Sequence, residues 1–255
     1  MGRIFKYVML DILKNKFVIA YMVMMSLVAW SAFTLEDNSA KGMLTLLNLI
    51  LLTVPLVSVL FSAIYIYNSS EFIELLVSQP IKRSKIWLSL YWGLCGSLVT
   101  AFIIGAGIPL LLFAEFTISL LMLVVGILIT VIFVSLALLS TIIYRDKAKG
   151  IGLTILIWIY FALLFDGLLL FLMFQFADYP IEKPMVLMTA LSPLDLSRIL
   201  LLLQLDSTAI MGYTGAIFRN FFGNSVGMSI SFTLLILWST IPFLVSLKKF
   251  KKKDL

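Results

Sequence analysis

Residues 116–143 read FTISLLMLVVGILITVIFVSLALLSTII, a run without one charged side chain. Roughly 20 apolar residues of α-helix cross a hydrocarbon core about 30 Å thick. Five further runs reach a comparable length, so six candidate spans cover Phe17–Leu35, Met43–Tyr67, Ile86–Ala114, Phe116–Ile143, Ile151–Phe176 and Ser225–Leu247. The sequence therefore predicts an all-α integral membrane protein, with six transmembrane helices in one transmembrane domain over residues 1–255.

The composition excludes most soluble classes. The 255 residues are 62% hydrophobic and 13% charged, whereas soluble domains are about 25% charged. So few charges cannot cover a globule of this size, which excludes a soluble enzyme, a disordered chain and a nucleic-acid binder. The single cysteine, Cys95, excludes an intrachain disulfide, and the absence of histidine removes the commonest general base and metal ligand. We therefore expect no catalytic residue and no bound metal.

Charge placement predicts the orientation of the chain. Most of the 19 basic residues fall in the N-terminal segment, in two connections and in the tail: Arg3, Lys6, Lys14, Lys16, Lys82, Arg83, Lys85, Arg145, Lys147, Lys149, Lys248, Lys249, Lys251, Lys252 and Lys253. Basic connections stay on the cytoplasmic side, so both termini are predicted to be cytoplasmic. The cationic tail suits anionic membrane lipids, and nucleic acid is not an expected partner.

Residues 1–16 carry an amphipathic pattern. Apolar residues recur at helical spacing, with Arg3, Lys6, Asp11 and Lys14 on the remaining surface; the apolar positions are Ile4, Phe5, Val8, Met9, Ile12 and Leu13. This pattern predicts a helix lying along the cytoplasmic membrane interface. The alternative is a simple basic segment ahead of the first span.

Residues 68–86, between the second and third spans, are too patterned for a plain loop. Asn68 followed by Glu71 resembles a helix N-cap, and Pro80 would end the helix after Glu71–Val77. Three basic residues follow directly. A short charged cytoplasmic helix suits the docking of another protein, and the alternative is a solvated loop.

The connection over residues 177–224 is long enough to have structure of its own. Ser192–Pro193 is a helix start, with Asp195 in the first turn where it favours the helix dipole. The stretch Leu194–Leu205 is apolar almost all round and must pack on protein or lipid. We expect a re-entrant or interfacial helical hairpin on the periplasmic side.

Asp166 is the only charged residue inside any predicted span. An acid in hydrocarbon is a candidate functional residue by default, because its burial is costly. No basic residue lies in a span to pair with it. The open alternatives are a proton, a polar partner such as Asn48, a structural hydrogen bond, or a water-filled pathway with Asp166 as pathway or gate residue.

Sequence motifs for catalysis are absent. The chain has no GxxxxGK[ST] loop for nucleotide phosphates, no HExxH and no GxSxG. Met22, Met24 and Met25 do not share one helical face, so a copper relay through them is disfavoured. The sequence indicates a protein that forms a transport pathway or a scaffold, and not an enzyme.

The arrangement of six spans, N-terminal helix, short cytoplasmic helix and outer hairpin resembles the permeases of ABC-2 type (type V) exporters. Glu74–Ile81, reading ELLVSQPI, is similar to the coupling helix of that family. The resemblance implies a homodimer in the bacterial inner membrane that docks an ABC ATPase on a separate chain, which binds the ATP and Mg²⁺. The coupling residues would be Glu71, Glu74, Leu75, Gln79, Pro80 and Arg83.

The outer connection narrows the resemblance. It contains FADYP from Phe176, EKP from Glu182, SPLDL from Ser192, Leu205–Asp206, MGYTGA from Met211 and Phe218–Arg219. These stretches resemble the permeases of transporters that serve nitrous-oxide reductase maturation in denitrification. The residues expected to dock a periplasmic partner are Asp178, Tyr179, Asp195, Arg198, Asp206, Tyr213 and Arg219.

That narrower resemblance implies particular partners. They are a NosF-like ATPase, a NosD-like periplasmic β-helical protein and, indirectly, a NosL-like copper-chaperone lipoprotein. The complex would help to assemble the copper–sulfide centre. The scarcity of copper ligands in this chain favours passage of a sulfur species, or of motion to the β-helical protein, over passage of copper. The alternatives are an ABC-2 permease for another substrate and a secondary transporter that uses Asp166.

Overall fold

The computed structural model describes residues 2–36, 39–176, 182–205 and 225–252, and all regular secondary structure within these ranges is helical. Six helices are long and apolar enough to cross a membrane: α2 (Lys16–Thr34), α3 (Ser39–Asn68), α5 (Arg83–Phe113), α6 (Phe116–Ile143), α7 (Lys147–Gln175) and α10 (Ser225–Lys252). Four shorter helices are α1 (Gly2–Leu13), α4 (Ser70–Ser78), α8 (Glu182–Ala190) and α9 (Pro193–Gln204). The predicted all-helical, multi-pass architecture is confirmed.

In a helix, the backbone N–H and C=O groups bond to each other. A chain in lipid requires this, because no water is present to bond them. Many buried hydroxyl groups also bond to the backbone of their own helix, although the Ser62 hydroxyl has no partner among the described residues. The Ser97 hydroxyl donates to the Gly93 carbonyl at 2.7 Å, and the Thr130 hydroxyl donates to the Gly126 carbonyl at 2.8 Å. Such bonds to the preceding turn let small polar residues sit inside an apolar bundle.

Helix α6 forms the centre of the bundle and packs against α3, α5, α7, α9 and α10. Gly126 on α6 leaves room for the Phe102 ring of α5, because a Cβ at this position would overlap that ring. Phe133, about two turns further on, is fully buried. Close contact through small residues is the usual way in which helices associate within lipid.

Helix α1 packs along the first half of α5. Val8 and Ile12 are fully buried, and Val8 fits against Gly93, where a side chain would collide with it. Lys6, Asp11 and Lys14 are exposed, as the amphipathic pattern predicts. The apolar face of α1 thus covers a helix of the same chain.

Two spans contain a single turn of π-helix, Ile103–Gly107 in α5 and Tyr160–Leu164 in α7. The first has a local cause: Pro109 has no N–H to donate to the Gly105 carbonyl, and the wider turn absorbs the gap. The second directs Phe161 towards Phe133 of α6 and Trp238 of α10, with edge-on ring contacts at 6.3 and 5.5 Å.

Helices α8 and α9 form a bent pair, with 111° between Pro184–Ala190 and Pro193–Gln204. The predicted cap is present, since the Ser192 hydroxyl accepts from the Asp195 N–H at 3.3 Å. The Trp238 indole donates to the Ala190 carbonyl at 3.2 Å. Trp238 lies about 20 Å from either end of α10 at 1.5 Å per residue. The bend between α8 and α9 therefore reaches the middle of the bundle.

Candidate functional site

Three ionisable side chains meet where α9 packs beside α7, and we call them the acid–arginine cluster: Asp166, Asp195 and Arg198. The Arg198 Nη1 lies 2.5 Å from the Asp166 Oδ2 and 3.7 Å from the Asp195 Oδ1. The expectation that Asp166 lacks a basic partner is therefore wrong. The reason is that α9 folds back into the bundle and brings Arg198 to the level of Asp166, whereas Asn48 is exposed on α3.

The local fold fixes each member of this cluster. Asp195 and Arg198 are three residues apart on α9 and so lie on one helix face. Asp166 comes two residues after the π-helical turn of α7, which is held against α6 and α10 by Phe161. The Ala190 carbonyl is bonded to Trp238, which also contacts Phe161. The start of α9 is therefore held at the depth of the π-helical turn of α7. The fold thus places two acidic side chains next to one guanidinium group.

The three members differ in burial. Asp195 is only 4% exposed, and its Oδ2 has no hydrogen-bond partner within the described part of the chain. The Asp166 and Arg198 side chains keep 34% and 31% of their surface. The Arg198 Nε is also buried without a partner among the described residues. The cluster therefore has one open side and one deeply buried, incompletely bonded carboxyl group.

The predicted coupling residues lie at the other end of the bundle, where the N-terminal helix and the basic connections are. On the inner face of α4, Ile73 and Leu76 are buried against the bundle. The outer face and the turn after it are exposed, and they carry Glu71, Glu74, Leu75, Gln79 and Pro80. Arg83 begins α5, half-buried, and its guanidinium donates to the Lys251 carbonyl at 3.4 Å.

The predicted N-cap of α4 is wrong. Asn68 continues α3, and its side-chain oxygen accepts from the Lys147 Nζ at 2.8 Å. Ser69 occupies the cap position without a side-chain capping bond. The helix itself, Ser70–Ser78, is close to the predicted Glu71–Val77, because the break between α3 and α4 is a single residue.

The residues expected to dock a periplasmic partner divide into two groups. The structure places Asp195 and Arg198 in the acid–arginine cluster, with Asp195 facing the bundle interior. The others lie outside the described residues: Asp178, Tyr179, Asp206, Tyr213 and Arg219. Within the described ranges, no three His, Cys, Asp or Glu side chains come together as metal ligands.

Comparisons with models of protein families and with curated proteins find no match to this chain. The class of the protein therefore rests on its fold. It is a multi-pass helical membrane protein with an ion-paired acid and a buried second acid inside its bundle.

Proposed function

We propose that this chain is the permease subunit of an ABC-2 type transporter and that it works as a homodimer. The observation that carries the proposal is α4, which is buried on one face and exposed on the other. Its exposed face presents two carboxylates beside the apolar side chain of Leu75. A separate ABC ATPase with a complementary basic and apolar surface would dock there.

The attachments of α4 suit the transmission of a push from such an ATPase. The Phe72 ring lies 5.5 Å from the Tyr7 ring of α1, so the two peripheral helices are in contact. The α1 helix in turn packs on α5 through Val8 and Gly93. Force on α4 would therefore reach α5 along two routes, directly and through α1.

The α8–α9 hairpin lies towards the opposite end of the bundle from α4. Its contacts support the transmission of motion from the spans to the outer connection. Helices α8 and α9 reach the middle of the bundle and are attached to α6, α7 and α10. Motion of those spans would be passed to the outer connection. The resemblance of that connection to the NosY-like permeases suggests service to nitrous-oxide reductase maturation, through a sulfur species or motion passed to a NosD-like partner.

A secondary transporter is the second candidate, and the acid–arginine cluster favours it. Carboxylates inside a bundle often mark ion pathways. Asp166, however, is already neutralised by Arg198 at 2.5 Å. The two candidates differ in what drives them, because a secondary transporter needs no ATPase.

The first test is extraction from the native membrane in mild detergent, followed by mass spectrometry of what co-purifies. An ABC ATPase is expected with the chain. An ATPase accompanied by a periplasmic β-helical protein would support the narrower assignment. Absence of any ATPase would overturn the permease proposal.

The docking surface is tested by Glu74→Lys. We expect the charge reversal to weaken ATPase binding at least tenfold and to uncouple ATP hydrolysis from function, because the charge of the docking surface changes by two units per chain. Glu115→Lys is the matched control, since Glu115 is exposed at the other end of the bundle. Equal ATPase binding by wild type and Glu74→Lys would contradict docking at α4.

A further inference from the structure

The acid–arginine cluster has unequal numbers of acids and bases. Two carboxyl groups share one guanidinium, and the same Nη1 atom of Arg198 faces both. If all three groups are ionised, the cluster carries one uncompensated negative charge, and one of its two acids, Asp195, is only 4% exposed. An uncompensated charge in such surroundings is costly, and the usual response is to bind a proton.

The neighbouring helices supply no second base. Within the described ranges, Arg198 is the only cation within ion-pair distance of either carboxyl group. Helix α6 has no charged residue and α3 has only Lys41, which is exposed in its first turn. The other ionisable residues on helices packed against α9 or α7 are Tyr160 in the π-helical turn, Tyr65 and Tyr67 at the far end of α3, Glu182 and Lys183 in the first turn of α8, and the lysines at the far ends of α7 and α10.

The geometry provides a place for a proton. The Asp195 Oδ2 is buried and has no partner among the described residues, and one atom, the Arg198 Nη1, lies 2.5 Å from Asp166 and 3.7 Å from Asp195. Two carboxylates cannot hydrogen-bond to each other, because neither has a hydrogen to donate. One added proton supplies the hydrogen for an O–H···O⁻ bond between the two acids, which is among the stronger hydrogen bonds in proteins.

We propose that the acid–arginine cluster is a proton-binding site that holds the α8–α9 hairpin against α7. A proton from solvent bonds to the Asp195 carboxylate, and the resulting hydroxyl donates to the Asp166 carboxylate. The protonated cluster is then neutral, with Asp166 ion-paired to Arg198. Loss of the proton to solvent leaves two like charges facing each other across the α7–α9 contact.

The site has the access and the connection that such a role requires. Asp166 and Arg198 are each about one-third exposed on the single chain, and this is the side from which a proton would reach the cluster. Asp195 stands in the first turn of α9, three residues beyond the cap and close to the bend fixed by Trp238. Proton release therefore acts at the point where the hairpin is attached. The proposal holds whether or not an ATPase binds the chain.

Infrared difference spectroscopy of the full chain in lipid nanodiscs tests the proposal, because a protonated carboxyl group has its own carbonyl stretching band. We expect one such band per chain near neutral pH, lost as the pH rises. Asp195→Asn and Asp166→Asn should each remove it, since either leaves one acid for one arginine. Glu115→Gln, at an exposed acid, should leave the band unchanged.

Arg198→Gln separates a proton site from a merely structural pair. Without the guanidinium, the two acids should hold their proton to higher pH, and the band should persist further into the alkaline range. Persistence of the band in Asp195→Asn, or its absence from wild type at every pH, would overturn the proposal.

Thermal unfolding of the same nanodisc samples gives a second measurement. The melting temperature of wild type should fall as the pH rises through loss of the proton, because the folded state then carries the unbalanced charge. Both single Asn variants should show a flat profile over that range. A wild-type profile as flat as theirs would contradict proton binding at the cluster.

Discussion

Helices α6 and α7 have nearly the same length and are both strongly apolar, yet they occupy opposite situations in the bundle. In an apolar 18-residue stretch of α6 61% of residues are buried, whereas in the corresponding stretch of α7 only 11% are buried. Hydropathy identifies both as spans and does not distinguish them. The property that differs is how each helix is attached to its neighbours.

The attachments of α6 are mainly packing contacts beside a bond from the Ser119 hydroxyl to the Leu110 carbonyl of α5 at 2.9 Å, whereas those of α7 include an ion pair. Phe133 is enclosed on all sides, and Gly126 receives the ring of Phe102. From α7, the Trp158 indole donates to the Leu52 carbonyl of α3 at 3.1 Å, and Asp166 pairs with Arg198 of α9. Lipid offers helices no hydrophobic drive to associate, so close packing and polar bonds must hold the bundle together.

The largest difference between the two helices should come from removing an aromatic ring. Phe133→Ala in α6 should lower the free energy of unfolding by about 2–4 kcal/mol, because it leaves a cavity in the centre of the bundle. Phe174→Ala in α7 should change it by less than about 0.5 kcal/mol, since that ring is exposed on a single chain. Titration with SDS in mixed micelles measures both values. Equal losses would show that the exposed face of α7 is covered by another copy.

A smaller effect should follow from adding one methyl group. Gly126→Ala should lower the free energy of unfolding by about 1–3 kcal/mol, because the fully buried Phe102 ring has no room to move. Gly152→Ala in α7 has open space around it and should be neutral or slightly stabilising, since alanine is the better helix former. The same titration compares the two. A neutral Gly126→Ala would contradict the tight α5–α6 contact.

The smallest effect should come from one polar bond of α7. Trp158→Phe keeps most of the ring and removes the hydrogen bond to Leu52, so we expect a loss of about 1 kcal/mol. Trp92→Phe, at an exposed ring on α5, is the control for the change in volume. Thermal unfolding in nanodiscs resolves the difference. Matching melting temperatures for the two variants would mean that the Trp158–Leu52 bond does not help to attach α7.

The sequence was sufficient for the spans because length and apolarity alone determine which segments can cross lipid. It was also sufficient for local signals such as Ser192–Pro193, where the predicted cap is observed. It was insufficient for Asn68. The pattern around this residue suits two roles equally well, the N-cap of α4 and the last residue of α3. Only the position of Lys147, in a different helix, decides what the Asn68 side chain bonds.

The partner of Asp166 could not be found by counting charges along the chain. Arg198 was assigned to an outer connection, which kept it away from every span. The available signal was the apolar surface of Leu194–Leu205, which required α9 to be covered. A helix of that kind with one acid and one base a turn apart indicates that both charges are buried together.

The bond between the Trp238 indole and the Ala190 carbonyl also sets an order of assembly during synthesis. The two residues are 48 positions apart, so Ala190 leaves the ribosome well before its partner exists. Until α10 enters the membrane, the Ala190 carbonyl at the end of α8 would lack its indole donor in lipid, which is costly. The α8–α9 hairpin must therefore stay at the surface and move inward last, when the final helix supplies its indole.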